Sequence, residues 1–346
     1  MERILVLTHV ADKDAALTRA SLEAVTAGRE LATRLSAPLL IGIIGTDTAS
    51  AAASLAATGA RLLTVSGEPF AQPRYGSDTA ACEAICRTAD ATIVLAPASS
   101  RFVRVLPSVA HRLGGWVDTH ITALSGTDTV DATRWFYRQR VEAVIRRESR
   151  PWFLLLDAGT HTAFLPELGP AVAPALVEAV AVSLPPLRTT VLGLRSPRQD
   201  AQTIRPDAKL LFVAGAGWTK KQPDGQIHVA QAGPLILDFL RYAKASLGSS
   251  KSLVDQGCEG QPVLPFLTHL NQIGQTGSTP RHPKGLSTCC HGEEPHVVGW
   301  RFIADRRAIS LDANCGWARG KADVVYVADA FDVMARVNAL LATESQ

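Results

Sequence analysis

Residues 209–217 read Lys-Leu-Leu-Phe-Val-Ala-Gly-Ala-Gly, an apolar run that ends in two closely spaced glycines. A short apolar run of this kind predicts a buried strand, and the polar stretch and helical pattern after it predict a strand–turn–helix unit. A glycine turn that opens a helix leaves backbone N–H groups able to bind phosphate. The complete Gly-x-Gly-x-x-Gly pattern is absent, so the segment predicts a nucleotide-binding arrangement only in outline.

The same alternation of apolar runs and helical stretches fills the first half of the chain. Strands are predicted at 4–7, 38–44, 61–65 and 91–95, with helices at 21–35 and 75–89. This order is typical of a parallel sheet covered by helices. After Gly115 the pattern changes to extended, partly antiparallel segments, predicted at 118–124, 133–144 and 151–156.

The second half continues the α/β pattern after a break. Helices are predicted at 231–247 and 330–341, and later strands at 297–303, 308–311 and 324–327. The break, between about residues 183 and 207, is rich in proline and arginine, which is the composition of a linker. Since 346 residues are too many for one ordinary core, we predict an α/β fold of two domains. The N-terminal parallel-sheet domain is predicted at 1–190 and the doubly wound domain at 208–346, with a linker at 191–207 between them.

Composition and charge exclude several classes of protein. With 47% hydrophobic residues the chain is neither disordered nor fibrous. A formal net charge of +3 at pH 7 is small for this length, so we expect neither nucleic acid nor an anionic membrane as a partner. The apolar run at 4–7 is too short for a signal peptide, and the sequence has no uninterrupted apolar run of membrane-spanning length. We therefore expect a soluble, cytoplasmic protein that is not embedded in a membrane.

The six cysteines do not form the pattern of a disulfide framework. Cys82 and Cys86 are spaced to share one helix face, while Cys289 and Cys290 adjoin His291. Adjacent cysteines seldom both bind one ion, and the sequence has no Cys-x-x-Cys pair. The pattern favours free, structural thiols over a metal or iron–sulfur site.

Two glycine-bracketed turns in the second half predict a ligand site. The first is Ile273-Gly274-Gln275-Thr276-Gly277, and the second runs from Gly292 to Gly299 around His296. Such turns leave room for a ligand and present hydroxyl, imidazole and backbone donors to it. Together they indicate a cradle for one planar or phosphorylated ligand. Taken alone, Thr276 is also compatible with an ordinary turn that binds no ligand. His296 is also compatible with a buried histidine whose hydrogen bonds are satisfied within the protein.

In these turns and the motifs around them the chain resembles the α subunit of electron transfer flavoproteins. The resemblance covers nearly the whole chain, and the motifs stand in the family's order. In the N-terminal half it rests on residues 4–7, 21–32, 95–98 and 112–114. In the C-terminal half it rests on Gly248-Ser249-Ser250-Lys251, Gln272-Ile273-Gly274-Gln275-Thr276-Gly277, Gly292-x-x-x-His296-x-x-Gly299, Asp312, Ala322-Asp323 and residues 327–331.

The resemblance implies an electron carrier without substrate chemistry of its own. It implies an N-terminal domain similar to adenine nucleotide hydrolases, which contacts a β subunit, and a C-terminal domain that binds FAD. The heterodimer would pass electrons from a donor dehydrogenase to a membrane quinone reductase or an iron–sulfur acceptor, and the β subunit would hold AMP or a second flavin. The alternatives are a structural subunit that has lost FAD, or a fixed electron-transfer subunit of a dehydrogenase complex.

The resemblance also assigns residues to the cofactor. Thr276 matches the hydroxyl beside flavin N5, and His296 matches the imidazole near flavin O2. The other matched positions are Ser250, Gln272 and Gln275 around the ring and ribityl chain, Asp329 toward the adenosine, Lys251 in place of an arginine over the isoalloxazine, and Gly274, Gly277, His291, Gly292, Ser310 and Asp312 in the surrounding turns and strand ends. His291 is either a second flavin contact or a surface residue, and Asp329 also suits the cap of the last helix.

Several positions depart from the family. Where the family has an arginine, the first glycine turn carries Trp218 after Gly215-Ala216-Gly217, which leaves Lys220 or Lys221 as the available substitute. A proline at position 295 removes a backbone donor from the second turn. The replacements in the second half are His291 for a serine, Pro295 for a glutamine and Ser310 for an asparagine. We therefore expect a cofactor cradle that is altered at several points.

Overall fold

The chain folds into two compact units, Met1–Arg195 and Ser196–Gln346. The structure, a computed structural model, describes residues 2–10, 16–137, 141–165, 176–193, 204–205, 208–256, 262–273, 281–288 and 303–344. Each unit is an α/β structure built on one sheet of mainly parallel strands. The predicted fold class of two α/β domains is therefore confirmed. Most of the predicted linker 191–207 and of the predicted strand 297–303 lies outside the described residues.

The first unit combines a parallel sheet with an antiparallel extension at one edge. Its strands are β1 Ile4–His9, β2 Leu39–Gly45, β3 Arg61–Ser66, β4 Ile93–Pro97, β5 Trp116–Ser125, β6 Asp131–Phe136, β7 Val141–Ile145, β8 Trp152–Leu156 and β9 Val177–Ala179. Its helices are α1 Arg19–Arg34, α2 Ala49–Leu55, α3 Tyr75–Ala89 and α4 Ser100–Arg112. The strand order is β7-β6-β5-β8-β4-β1-β2-β3-β9, and only the β5–β6 and β6–β7 pairs are antiparallel.

Helices cover both faces of the central strands, so these strands bury apolar side chains on both faces. Ile4 and Val6 of β1 pack in the cluster that includes α1. The alternate residues Leu5 and Leu7 pack in the cluster that includes α3 and α4. On the first face α1 approaches the sheet closely at Gly28, where a Cβ atom would lie 2.3 Å from Cγ2 of Val6. Glycine is required there because any side chain would push α1 away from β1.

The first-half predictions hold for the parallel strands and fail in detail at the extension. The predicted segment 133–144 is two strands, β6 and β7, and Tyr137 follows β6 with a positive φ of 48°. Helix α4 and strand β9 were not predicted, and α4 contains Pro107, a residue that ordinarily interrupts helices. Cys82 and Cys86 are free and fully packed between α3 and the sheet. Burial raises the pKa of both thiols, which suits a structural role.

A buried carboxylate joins the antiparallel extension to the rest of the sheet. Asp118 of β5 is 3% exposed and accepts hydrogen bonds from three side chains. Arg134 Nη1 donates at 2.9 Å, Arg147 Nε at 2.5 Å and Trp152 Nε1 of β8 at 2.9 Å. Burial raises the pKa of Asp118, but the hydrogen bonds from Arg147 and Trp152 and the charges of the two arginines outweigh it, so the pKa lies below its ordinary value.

The basic stretch after β7 is neutralised by carboxylates. Strand β7 lies at the edge of the sheet. Arg146 pairs with Asp131 at 2.7 Å, and Arg150 pairs with Glu2 at 2.6 Å. Arg147, besides its bond to Asp118, stacks over the ring of Trp116 at 4.8 Å. Each of these arginines therefore has a carboxylate partner, and the three do not form a free cationic patch.

The second unit carries a five-stranded parallel sheet. Its strands are β10 Leu210–Ala214, β11 Ser246–Ser249, β12 Lys284–Thr288, β13 Asp305–Ser310 and β14 Val324–Val327. Its helices are α5 Val229–Ala243, α6 Lys251–Asp255, α7 Gly316–Lys321 and α8 Ala330–Glu344. The strand order β11-β10-β12-β13-β14 is doubly wound, with a switch point between β10 and β12. This is the arrangement predicted for the second half.

Two predictions for the second unit need correction. The predicted helix 231–247 is α5 followed by strand β11. Lys244 takes a left-handed φ of 50°, and Ala245 N–H donates to the Leu240 carbonyl at 3.1 Å, which ends the helix. Strand β13 begins at Asp305, earlier than the predicted 308–311, because its pairing with β12 starts at Lys284. Among the described residues, no helix is long and apolar enough to cross a bilayer.

Asp118→Asn is expected to lower the free energy of unfolding of the first unit by about 3 kcal/mol at pH 7. The substitution leaves two guanidinium groups beside a neutral, buried side chain. Because the pKa of Asp118 is lowered in the folded state, its contribution is present above the ordinary carboxyl pKa of about 4 and is lost as the pH falls through the folded pKa. Urea unfolding of wild type and variant over a pH series measures both effects.

Asp131→Asn is the matched control for this substitution. It makes the same chemical change at the neighbouring Arg146–Asp131 pair, which is exposed to solvent and therefore contributes little. Equal losses of stability in the two variants, or a loss for Asp118→Asn that does not shrink in acid, would contradict the role given to Asp118.

Candidate functional site

The carboxyl edge of the second unit's sheet gathers the described residues that the sequence assigned to a ligand. All five strands are parallel, so the turns that follow them open at this one edge. In doubly wound sheets ligands bind outside this edge at the switch point. Five assigned residues end or follow these strands: Ser250, Lys251, Ser310, Asp312 and Asp329. A sixth, Gln272, pairs with Ser249 at the end of β11. From β11 to β14 the edge spans four strand spacings, about 19 Å, which suits an extended ligand.

Seven assigned residues lie outside the described part of the chain. They are Gly274, Gln275, Thr276, Gly277, His291, Gly292 and His296. Two described anchors precede them in sequence at the carboxyl edge. Ile273 N–H donates to the Ser249 carbonyl at 3.1 Å, and Thr288 is the last residue of β12.

Ser250 fixes the turn between β11 and α6. Its N–H donates to the Ala214 carbonyl at 2.9 Å, and its hydroxyl caps α6 by accepting from Leu253 N–H at 3.2 Å. Gln272 is 4% exposed and lies in the segment that forms a parallel bridge with Ser249. The structure therefore brings Ser250 and Gln272 together beside the end of β11.

Lys251 points along its own helix toward a carboxylate. Its Nζ lies 3.8 Å from Asp255 Oδ2, one helical turn later. The other oxygen of Asp255 accepts from His269 Nε2 at 2.9 Å. Of these three residues, only Lys251 was assigned from its sequence position. Its neighbours Asp255 and His269 are recognised only from the folded structure.

The assigned residues at the far side of the edge are held by local hydrogen bonds. Ser310 is 2% exposed and its hydroxyl donates to the Asp312 carbonyl at 3.2 Å. Asp312 Oδ1 accepts from Asn314 N–H at 2.8 Å. Asp329 Oδ1 accepts from Phe331 N–H at 2.7 Å, so Asp329 caps α8 as its sequence position suggested.

The first glycine turn is closed by packing. Residues 216–219 are all buried, and the indole of Trp218 lies 4.6 Å from the ring of Phe331. Trp218 Nε1 donates to Thr288 Oγ1 at 2.8 Å, and Gly215 N–H donates to the Thr288 carbonyl at 3.0 Å. The N–H groups of Trp218 and Lys220 bond within the turn. These four donors are consumed, so the turn does not present them to a phosphate.

The comparison with known families concerns the first unit. A family model described as the electron transfer flavoprotein domain matches residues 6–185, slightly more than half of the chain. The chain belongs to the electron transfer flavoprotein family. Members of this family are electron carriers and not enzymes in the usual sense. No curated protein sequence matches the chain.

The match and the candidate site of this electron transfer flavoprotein family member lie in different units. Residues 6–185 fall within the first unit, whereas the assigned residues all lie in the second. Membership of the family therefore rests on the nine-stranded unit. The identity of the ligand has to be argued from the second sheet and its edge.

The described edge fits a ligand with several polar groups. The hydroxyl of Ser249, at the end of β11, is fully buried and has no hydrogen-bond partner among the described residues. An unsatisfied buried hydroxyl is unfavourable, and a polar ligand atom would satisfy it. The sequence assigned no structural role to Ser249, Trp218 or Thr288, because their roles depend on neighbours distant in sequence. In the described part of the chain no cluster of three His, Cys, Asp or Glu side chains suits a metal ion.

Trp218→Ala is expected to lower the free energy of unfolding of the second unit by about 3 to 5 kcal/mol. The substitution removes a fully buried indole and leaves a cavity between β12 and α8. Trp116→Ala makes the same change at an indole that is 52% exposed, and is expected to cost less than about 1 kcal/mol. Denaturant unfolding followed by circular dichroism measures both losses. Equal losses would contradict the conclusion that the buried Trp218 side chain closes the first glycine turn.

Proposed function

We propose that the chain is the α subunit of an electron transfer flavoprotein that binds FAD along the carboxyl edge of its second sheet. The observation that supports this most is the doubly wound order of that sheet, with assigned polar residues along its carboxyl edge. In this proposal the subunit accepts electrons from a donor dehydrogenase and passes them to an acceptor such as a membrane quinone reductase. Family membership supports electron carriage in general.

The residues of the edge would bind and orient the cofactor, while FAD itself supplies the redox chemistry. Ser250 and Gln272 are placed to hold the flavin end beside β11. Lys251 brings positive charge to the same end, which favours the negative charge of a reduced flavin. Ser310, Asp312 and Asp329, at the ends of β13 and β14, are proposed for the adenosine end.

The glycine-turn residues complete the proposed cradle. Thr276 and His296 are proposed to contact the flavin ring, together with Gln275 and His291. The supporting glycines are Gly274, Gly277 and Gly292. The first unit, which carries the family match, is proposed to contact the β subunit, and that subunit is proposed to hold AMP or a second flavin.

One observation favours a second candidate, a structural subunit that has lost FAD. The buried Trp218 and the internal hydrogen bonds of residues 215–220 close the turn where doubly wound domains usually bind phosphate. A subunit of this kind would keep the fold and the partner surface without the cofactor. The two candidates differ in whether the purified heterodimer contains FAD and therefore absorbs visible light.

Co-expression of the chain with a β subunit is expected to yield a heterodimer with about one bound FAD, as the proposal requires one cradle per α subunit. The visible spectrum of the purified complex, with flavin released by denaturation and quantified, measures the ratio. A stable but colourless heterodimer would refute FAD binding and support the structural subunit.

Site variants then test the assignment of the cradle. Thr276→Ala and His296→Ala are each expected to weaken FAD retention about tenfold, because leaving a buried ligand atom without its hydrogen bond costs about 1 to 2 kcal/mol. Thr343→Ala is the control, since its hydroxyl bonds only the Leu340 carbonyl on an exposed part of α8. Flavin retention during dialysis measures the effect, and equal retention in all three variants would remove Thr276 and His296 from the site.

A further inference from the structure

Three titratable side chains form a chain of contacts at the carboxyl end of β11. Asp255 stands between the other two: Oδ1 accepts from His269 Nε2 at 2.9 Å, and Oδ2 lies 3.8 Å from Lys251 Nζ. Lys251 and Asp255 belong to α6, which starts directly after Ser250. His269 belongs to a separate turn, His269–Asn271, that packs on α6.

Among the described residues, Asp255 is the carboxylate that contacts both Lys251 and His269. In the described part of the chain, the turns 216–219 and 269–271 pack on α6. Neither turn carries a carboxylate, and the next charged residue after the first turn is Lys220. Strand β11 carries no charged residue. The carboxylate of Asp255 is therefore shared between Lys251 and His269.

We infer that Asp255 is a positioning residue that sets how much of the positive charge of Lys251 reaches a ligand at this edge, and that His269 competes with Lys251 for it. The inference rests on the proposed function, in which the ligand is FAD. It goes further by assigning a role to two residues outside the cradle. Asp255 and His269 act through Lys251.

The direction of the effect follows from the charges. When His269 is neutral, the charge of Asp255 offsets that of Lys251. When His269 is protonated, the three groups carry one more positive charge, and Asp255 is drawn toward the imidazolium. The positive field at the edge then increases and stabilises the negative charge of a reduced flavin. Protonation of His269 therefore shifts the reduction potential in the positive direction.

The three groups are partly exposed, so their coupling also depends on salt. The side chains of Lys251, Asp255 and His269 are 48%, 36% and 60% exposed. Charges in contact with solvent are screened by mobile ions. The effect on the potential is expected to be largest at low ionic strength and to diminish as salt is added.

The flavin potential of the complete heterodimer tests the inference. Asp255→Asn is expected to shift the midpoint potential in the positive direction. His269→Gln is expected to remove the additional positive shift that the wild type shows between about pH 7.5 and pH 5.5, a range that brackets the ordinary histidine pKa. Asp238→Asn is the matched control, because Asp238 is a similarly exposed carboxylate that pairs with Arg241 on α5 at 2.8 Å. Its potential should equal that of wild type.

Histidine NMR on the same full chain gives a second measurement that requires no flavin. The resonance absent from His269→Gln identifies His269. Asp255→Asn is expected to lower the titration midpoint of His269, because a neutral amide no longer stabilises the imidazolium, and Lys251→Met is expected to raise it. Asp238→Asn should leave the midpoint unchanged.

The outcomes separate the inference from the proposed function. A flavin-loaded heterodimer whose potential is the same in wild type, Asp255→Asn and His269→Gln overturns the inference and leaves FAD binding intact. An unchanged His269 midpoint in Asp255→Asn also overturns the inference. A wild-type heterodimer without flavin absorbance overturns the proposed function and the inference with it.

Discussion

Parallel pairing of β10 with β11 on one side and β12 on the other is the constraint on which the second unit depends. These pairings fix strand direction, so that Ala214, Ser249 and Thr288 all end at one edge. The hydrogen bonds from Ser250 and Gly215 to neighbouring strand ends continue this register into the turns. Segments far apart in sequence can form one ligand site there, because the turns that follow parallel strands all begin at the same edge of the sheet.

The same edge serves packing and recognition, and Trp218 shows how the two compete. The indole joins β12 to α8 through Thr288 and Phe331, and it contributes apolar burial where another domain of this type would admit a phosphate. In the proposed function, the cofactor is therefore bound by the turns after the other strands and not by this first turn. The hydroxyl of Ser249, which has no partner among the described residues, lies at the end of β11.

The sequence was sufficient to predict an element wherever its local pattern of apolar or capping residues was distinct. The first parallel strands follow from uninterrupted apolar runs such as 4–7, and the capping role of Asp329 follows from its place before the last helix. Strand β12 was not predicted, because Lys-Gly-Leu-Ser-Thr at 284–288 has little apolar character and the hydroxyl of its buried Thr288 is hydrogen-bonded by residues distant in sequence. The end of α5 depends on the left-handed conformation of Lys244, which no motif announces. Ser250 and Gln272 came from family resemblance, and Thr276 and His296 remain predictions.

The hydrogen bonds to the buried Asp118 carboxylate join segments that are synthesised at different times. Its donors enter the chain in the order Arg134, Arg147 and Trp152, and the last of them belongs to β8, which separates β5 from β4 in the sheet. During synthesis the β6–β7 hairpin can pair locally, but the carboxylate in β5 stays incompletely bonded until β8 has emerged and inserted. Complete bonding of Asp118 therefore couples the antiparallel extension to the insertion of β8 between β5 and β4.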